Sequence, residues 1–202
     1  MLIIKADTAN AVKVFKKAAL SYSPVVFPTD TIYGIGAGFF DVFANEKISK
    51  IKGREAGKAF PVLISDIKQL DDLKIAVTNK TKKILDKSWP GPFTFILETE
   101  LDGYYYAVNA GKVAVRLPDK RWLRETIRIM GTPFTATSAN LSGKSYRGEF
   151  RSIFEIFKND IDYFLYEEPY SRENTPSTIV DVSCEEINIL RNPLAMDIKD
   201  LQ

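Results

Sequence analysis

Apolar and polar positions change period repeatedly along this chain, and each change marks a switch between strand and helix. Residues 2–5 read as a short strand. Asp7 or Thr8 then caps a helix in which Val12, Phe15 and Ala19 recur at helical spacing, while Lys13, Lys16 and Lys17 fall mostly on the opposite face. Pro24 opens the unbroken apolar run Val25-Val26-Phe27, the pattern of a strand covered on both faces, and Pro28 closes it. The polar loop Thr29-Asp30-Thr31 therefore sits at a strand end. Asp41 caps a helix predicted over residues 42–52, and Gly53 ends it.

The alternation continues to the C-terminal region. Residues 60–64, 93–97, 113–117 and 134–136 predict strands, and residues 81–89 and 122–130 predict helices, with Pro90-Gly91-Pro92 as a breaker. The strand at 134–136 delivers a second polar loop, Thr137-Ser138-Ala139-Asn140. A helix over 152–157 and strands over 163–166, 178–182 and 187–190 follow. No repeat, low-complexity tract or linker interrupts the series, so one α/β domain spanning residues 1–202 is the simplest organisation. At 45% hydrophobic and 12% aromatic, the chain can bury one substantial core.

Composition narrows the chemistry by what is missing. The chain has no histidine, and Cys184 is its one cysteine, which excludes Ser-His-Asp triads, Cys-His pairs, structural zinc sites and disulfides. With 28 Lys+Arg against 26 Asp+Glu, attraction for a polyanion must come from local clustering rather than net charge. No window approaches the roughly 18 apolar residues of a membrane span, and the N-terminus lacks a signal-like run. A soluble, reducing, cytoplasmic setting is expected.

Candidate groups are therefore those that bind anions and orient polar substrates. Gly34-Ile35-Gly36-Ala37-Gly38 approaches the G-x-G-x-x-G spacing, but its third glycine comes one residue early; Gly53 to Lys58 is too short for a Walker A loop. The first run is either turn-and-packing glycine or backbone approaching a ligand. Lys47, Lys50, Lys52, Arg54 and Lys58 stand against Glu46 and Glu55 at a helix end, where cations also offset the helix dipole. That solvated-face reading suits Lys47 and Lys50. Lys52 and Arg54 flank Gly53, where two cations on a short extended segment could converge on one anion. Arg116 interrupts an apolar strand, so its guanidinium needs a carboxylate or phosphate, internal or bound. Ser138 and Asn140 either shape a turn or orient a substrate by hydrogen bonding. Ser177, Thr178 and Arg191 carry little information alone.

In combination these segments say more. Pro28-Thr29-Asp30-Thr31-Ile32-Tyr33-Gly34-Ile35-Gly36, Lys52-Gly53-Arg54, Trp89-Pro90-Gly91-Pro92, Val115-Arg116-Leu117-Pro118, Ser138-Ala139-Asn140-Leu141-Ser142-Gly143 and Pro176-Ser177-Thr178-Ile179-Val180 occur in one order across residues 25–193. This arrangement resembles the YrdC/TsaC family of threonylcarbamoyl-AMP synthases, whose Lys-x-Arg and Ser-x-Asn signature falls on Lys52, Arg54, Ser138 and Asn140. The resemblance implies an α/β, YrdC-like twisted open mixed sheet with flanking helices and a basic concave cavity. It also implies synthesis of L-threonylcarbamoyl-AMP and pyrophosphate from L-threonine, bicarbonate and ATP, on the way to threonylcarbamoyladenosine in tRNA.

Residue roles are carried over with the resemblance. Lys52 and Arg54 are expected to bind the triphosphate or bicarbonate and to be catalytic, so that Lys52→Ala cripples pyrophosphate release without unfolding the chain. Thr29 and Thr31 would hydrogen-bond the amino acid, and Arg116 would hold a carboxylate or line the anion cavity. Ser138 and Asn140 would fix substrate and nucleotide, Lys58 would add a cation, Ser177 or Thr178 would contact threonine, and Arg191 would close over the nucleotide. Magnesium would travel with ATP, without metal ligands from protein side chains. Transfer proteins and tRNA are indirect partners. Glu55-Ala56-Gly57-Lys58 departs from the proline-rich family pattern after Arg54, as Asn192-Pro193 does after Arg191, and no counterpart of the extra C-terminal domain of the longer family branch is expected within residues 1–202. The rival reading is a double-stranded RNA or tRNA-binding module of the same fold; a third is a relative that kept the fold and changed substrate.

Overall fold

The computed structural model describes residues 1–53, 59–168, 175–184, 186–197 and 199. Two mixed sheets dominate it. The first takes β1 (Leu2–Lys5), β10 (Tyr163–Tyr166), β2 (Val25–Phe27), β3 (Gly34–Gly36) and β9 (Thr137–Ser138) in that spatial order. The second runs β12 (Asn188–Arg191), β11 (Thr178–Asp181), β5 (Phe93–Glu98), β7 (Lys112–Arg116), β4 (Val62–Leu63), β8 (Phe134–Thr135), with β6 (Val108–Asn109) also paired to β7. Parallel pairs β1–β10, β10–β2, β11–β5 and β4–β7 are mixed with antiparallel ones. The expected open mixed sheet is thus two sheets, joined where the chain passes from β8 through Ala136 into β9.

Helices α1 (Thr8–Leu20), α2 (Val42–Lys52), α3 (Asn79–Ser88), α4 (Arg121–Met130) and α5 (Phe150–Phe157) flank these sheets. Asp7 caps α1 by accepting the Asn10 amide at 2.8 Å, and Asp41 caps α2 by accepting that of Ala44 at 3.0 Å. Gly53 closes α2 at φ 57°, a left-handed turn that suits glycine. In α1 the buried stripe is Ala11, Val14, Phe15 and Ala18 rather than Val12, Phe15 and Ala19. The helix is rotated so that Phe15 stacks on Phe134, with ring centroids 4.3 Å apart. That contact joins Leu123 and Ile127 of α4 in one core cluster, and a larger cluster unites Val26 and Ile35 of the first sheet with Phe60 and with Phe95 and Val115 of the second. No helix among the described residues is long and apolar enough to cross a membrane.

The glycine run is a strand, β3, and one of its glycines is there for packing. A Cβ on Gly36 would stand 1.9 Å from the Thr135 carbonyl oxygen, whereas one on Gly38 would find its nearest neighbour, a Thr132 methyl, at 3.6 Å. The backbones of β3 and the β8–β9 segment cross too closely for a side chain at the first position. Gly36→Ala should therefore destabilise the fold by about 1–3 kcal/mol, while Gly38→Ala should change stability by less than about 1 kcal/mol. Chemical denaturation of both variants checks this, and equal losses would contradict it.

Candidate active site

A cavity of about 610 Å³ lies between the sheets. Its floor follows from strand alternation, which sends every second residue to one face. Thr94 and Ile96 of β5, Lys112, Ala114 and Arg116 of β7, and Ile179 and Asp181 of β11 all face it, continued by Ser177 and Arg191. The opposite wall comes from the first sheet: Thr29, Thr31 and Tyr33 of the loop after β2, Gly34 of β3, and Thr137 and Ser138 of β9. Among the described residues three cations, Lys112, Arg116 and Arg191, line this space against one carboxylate, Asp181, so this lining is basic.

Arg116 is buried and spans the gap. Its Nε donates to the Gly91 carbonyl at 3.0 Å, Nη1 to Thr31 Oγ1 at 2.7 Å, and Nη2 to Asp30 Oδ2 at 2.6 Å. Burial pulls its pKa below the usual guanidinium value, and the Asp30 charge opposes that fall. The internal carboxylate anticipated for this arginine is thus present, and the side chain lines the cavity as well.

The two threonines form a directed chain. Thr29 donates its one hydroxyl proton to the Ile32 carbonyl at 2.7 Å, so the 3.0 Å contact between Thr29 and Thr31 Oγ1 must be donated by Thr31. Thr31 in turn accepts from Arg116. Both protons are committed within the loop. What Thr31 can offer a ligand is a lone pair, suited to an amine donor, and Thr29 acts by fixing the loop.

Ser177 and Arg191 form the other polar end. Arg191 donates from Nε to the Ser177 carbonyl at 2.8 Å and from Nη2 to Ser177 Oγ at 3.0 Å, and Ser177 Oγ also meets Thr94 Oγ1 at 2.8 Å. Burial, then the nearby Arg116 charge, lowers the Arg191 pKa. Thr178 departs from expectation: alternation turns it away from the cavity that its neighbours Ser177 and Ile179 line, and its completely buried Oγ1 has no hydrogen-bond partner among the described residues. It is a core residue.

The Lys-x-Arg and Ser-x-Asn residues are brought together differently from expectation. Lys52 is not on an extended segment; it ends α2, buried, and its Nζ donates to the carbonyls of Ser138 and Asn140. Ser138 Oγ donates to Asn140 Oδ1 at 2.5 Å, and Asn140 Nδ2 donates to the Lys144 carbonyl at 2.5 Å. Ser138 therefore faces the main cavity, whereas Asn140 lines a neighbouring hollow of about 750 Å³ with Lys144, Arg147 and Arg151. Arg54 and Lys58 lie outside the described residues.

Sequence reasoning passed over Thr94, Lys112 and Asp181. The signal was period-two alternation around Arg116, which places Lys112 on its face of β7. Lys112 Nζ lies 3.5 Å from Asp181 Oδ2. Burial pushes the Asp181 carboxyl up, but hydrogen bonds from Ser183 and the Lys112 charge outweigh it and hold the pKa below the usual value. Among the described residues no group of three or more His, Cys, Asp or Glu is placed to hold a metal ion.

Comparison with known proteins fits this geometry. The family model described as "Telomere recombination", Sua5/YciO/YrdC, matches residues 21–193, and the chain belongs to that family. It is 32% identical over 186 residues to a putative threonylcarbamoyl-AMP synthase of Methanocaldococcus jannaschii, covering 92% of this chain and 86% of that protein. It is 43% identical over 122 residues to the threonylcarbamoyl-AMP synthase of Bacillus subtilis, covering 59% of this chain but 35% of that protein. With 52% of the Pyrococcus abyssi synthase covered, the chain spans about a third to a half of these longer relatives. The P. abyssi Sua5 structure complexed with L-threonine superposes with a TM-score of 0.85 at 26% identity, over 95% of this chain and 57% of that one. Escherichia coli YciO shares the fold, with a TM-score of 0.84 at 20% identity over 100% and 98% of the two chains.

The lysine clamp yields a stability prediction. Because Lys52 satisfies buried carbonyls, its removal acts on the fold as well as on any ligand, contrary to a purely catalytic role. Lys52→Met should lower stability by about 1–3 kcal/mol, read as a lower denaturation midpoint. A midpoint unchanged from wild type would show that the clamp contributes nothing.

Proposed function

We propose that this chain condenses L-threonine, bicarbonate and ATP into L-threonylcarbamoyl-AMP with release of pyrophosphate, supplying threonylcarbamoyladenosine formation in tRNA in the cytoplasm. The observation that carries this reading is the buried guanidinium of Arg116 sharing one cavity with Arg191 and with small hydroxyl groups. Names of the relatives and the threonine-bound neighbour support it.

The chemistry needs positioning more than proton transfer. The unprotonated amine of threonine attacks the carbon of bicarbonate or carbon dioxide; a new C–N bond forms, and with bicarbonate a water leaves, giving a carbamate. A carbamate oxygen then attacks the α-phosphorus, the bond to the bridging oxygen breaks, and pyrophosphate departs with that electron pair. In this scheme Arg116 holds the amino-acid carboxylate with N–H groups not engaged by Asp30, Thr31 and Gly91, and the Thr31 lone pair accepts from the amine. Arg191, fastened to Ser177, offsets the phosphate charge, and Ser138 orients the substrate. Asn140, Lys52, Arg54 and Lys58 are assigned to the nucleotide side. Magnesium would travel with ATP and offset part of its phosphate charge. Holding the reactants in register is the main source of rate.

A second reading, phosphate-backbone binding by RNA, is favoured by one feature: Lys144, Arg147 and Arg151 around the neighbouring hollow. The two readings separate in one assay. With ATP, magnesium and bicarbonate, pyrophosphate release should require L-threonine, and serine should be used about 10- to 200-fold less well. Arg116→Ala should raise the KM for threonine roughly 10- to 150-fold. Salt-sensitive RNA binding without threonine-dependent pyrophosphate would favour the second reading instead.

A further inference from the structure

We infer that Asp30 is a positioning residue for Arg116, setting threonine affinity without touching threonine; this rests on the reading of the site given above. Asp30 sits in the loop after β2, on the first sheet's side, while Arg116 ends β7 of the second. Their ion pair at 2.6 Å therefore ties the two walls of the cavity together, with side-chain exposures of 12% and 6%. Asp30 Oδ2 is itself held by the backbone amide of Asp119 at 2.9 Å, just beyond the strand that carries Arg116. The carboxylate is thus fixed from the side of the arginine as well as from its own loop.

Geometry makes this contact an aiming device. A guanidinium has five N–H groups. Among the described residues three of those on Arg116 have partners, one each from Nε, Nη1 and Nη2. These partners lie on two segments, the loop after β2 and the turn at Gly91, and engage all three guanidinium nitrogens, so the guanidinium plane is fixed and the remaining N–H directions are set before any ligand arrives. Gly91 offers a backbone carbonyl and Thr31 a hydroxyl, so Asp30 supplies the one charged contact of the three. Asp30 does not line the cavity, which places it behind the arginine rather than beside the substrate. Among the described residues the buried Asp30 Oδ1 has no hydrogen-bond partner, so no further donor there competes for this carboxylate's orientation. Removing Asp30 leaves a buried guanidinium uncompensated and free to turn.

The test compares wild type with Asp30→Ala, Asp30→Asn, Arg116→Ala and the double variant Asp30→Ala/Arg116→Ala. Calorimetric L-threonine binding and steady-state kinetics are measured on each, together with the rate at which an arginine-specific dicarbonyl reagent modifies Arg116. Asp30→Ala should weaken threonine binding and raise its KM roughly 10- to 100-fold, leave the KM for ATP within about twofold, and speed modification of Arg116. Asp30→Asn keeps an oxygen acceptor for Arg116 Nη2 and the Asp119 amide and should recover most of the loss. In the Arg116→Ala background, Asp30→Ala should add nothing further. Wild-type threonine affinity in Asp30→Ala, or losses that multiply in the double variant, would overturn the inference. A wild-type chain that binds no threonine would sink the functional reading alone, because Arg116 reactivity still reports on the positioning.

Discussion

A guanidinium withdrawn from water is tolerated only where donors and charge are met, and this fold commits two separate segments to meeting those of Arg116. Gly91 comes from one turn and the neighbours Asp30 and Thr31 from another, and each contact lies between 2.6 and 3.0 Å. Two of them belong to the loop after β2, so the arginine is also a strut between the sheets. The cavity exists because the sheets are held apart by polar, hydrogen-bonded groups rather than closed over apolar ones. Its basic character follows, since among the described residues the one carboxylate facing it is paired with Lys112.

The same logic explains why the site is built from strand ends and short loops. Sheet residues alternate, so β5, β7 and β11 turn both polar and apolar residues to one face, with Ile96 opposite Ala114 and Asp181, and Thr94 opposite Ile179. Opposite them the close crossing of β3 and the β8–β9 segment, possible because Gly36 has no side chain, brings Ser138 to the rim. Lys52 then locks that segment by its carbonyls. Ligand-facing hydroxyls and the core beneath them are therefore parts of one hydrogen-bonded layer, in which a substitution alters affinity and stability together.

Much of this was legible in the sequence where punctuation was strong. Asp41 and Gly53 bracket α2 to the residue, and Pro24 and Pro28 bracket β2. Less was legible where the pattern is short or carried by the wrong residue types. The strand Gly34–Gly36 has almost no side-chain pattern, and its reason for being a strand is the neighbour it must pass. The break at Ala136, which sends β8 and β9 into different sheets, is a tertiary event without a local signal. Lys52 could have been placed: Ala44, Ile48 and Lys52 repeat every fourth residue on the buried face of α2, which argues for an interior lysine rather than one leaving on a loop. Thr178 could have been placed too, because period-two alternation cannot send both Ser177 and Thr178 into one cavity. Family resemblance selected the right segments of the chain; physical reasoning about each residue decides which atoms face the hollow.

The measurement that bears most directly on this account is a crystal structure of the chain with L-threonine bound. The account predicts the amino-acid carboxylate on Arg116, its amine near Thr31 Oγ1, and the Asp30–Arg116 pair unchanged. Threonine bound outside the cavity between the sheets, or bound within it with its carboxylate away from Arg116, would contradict the central claim.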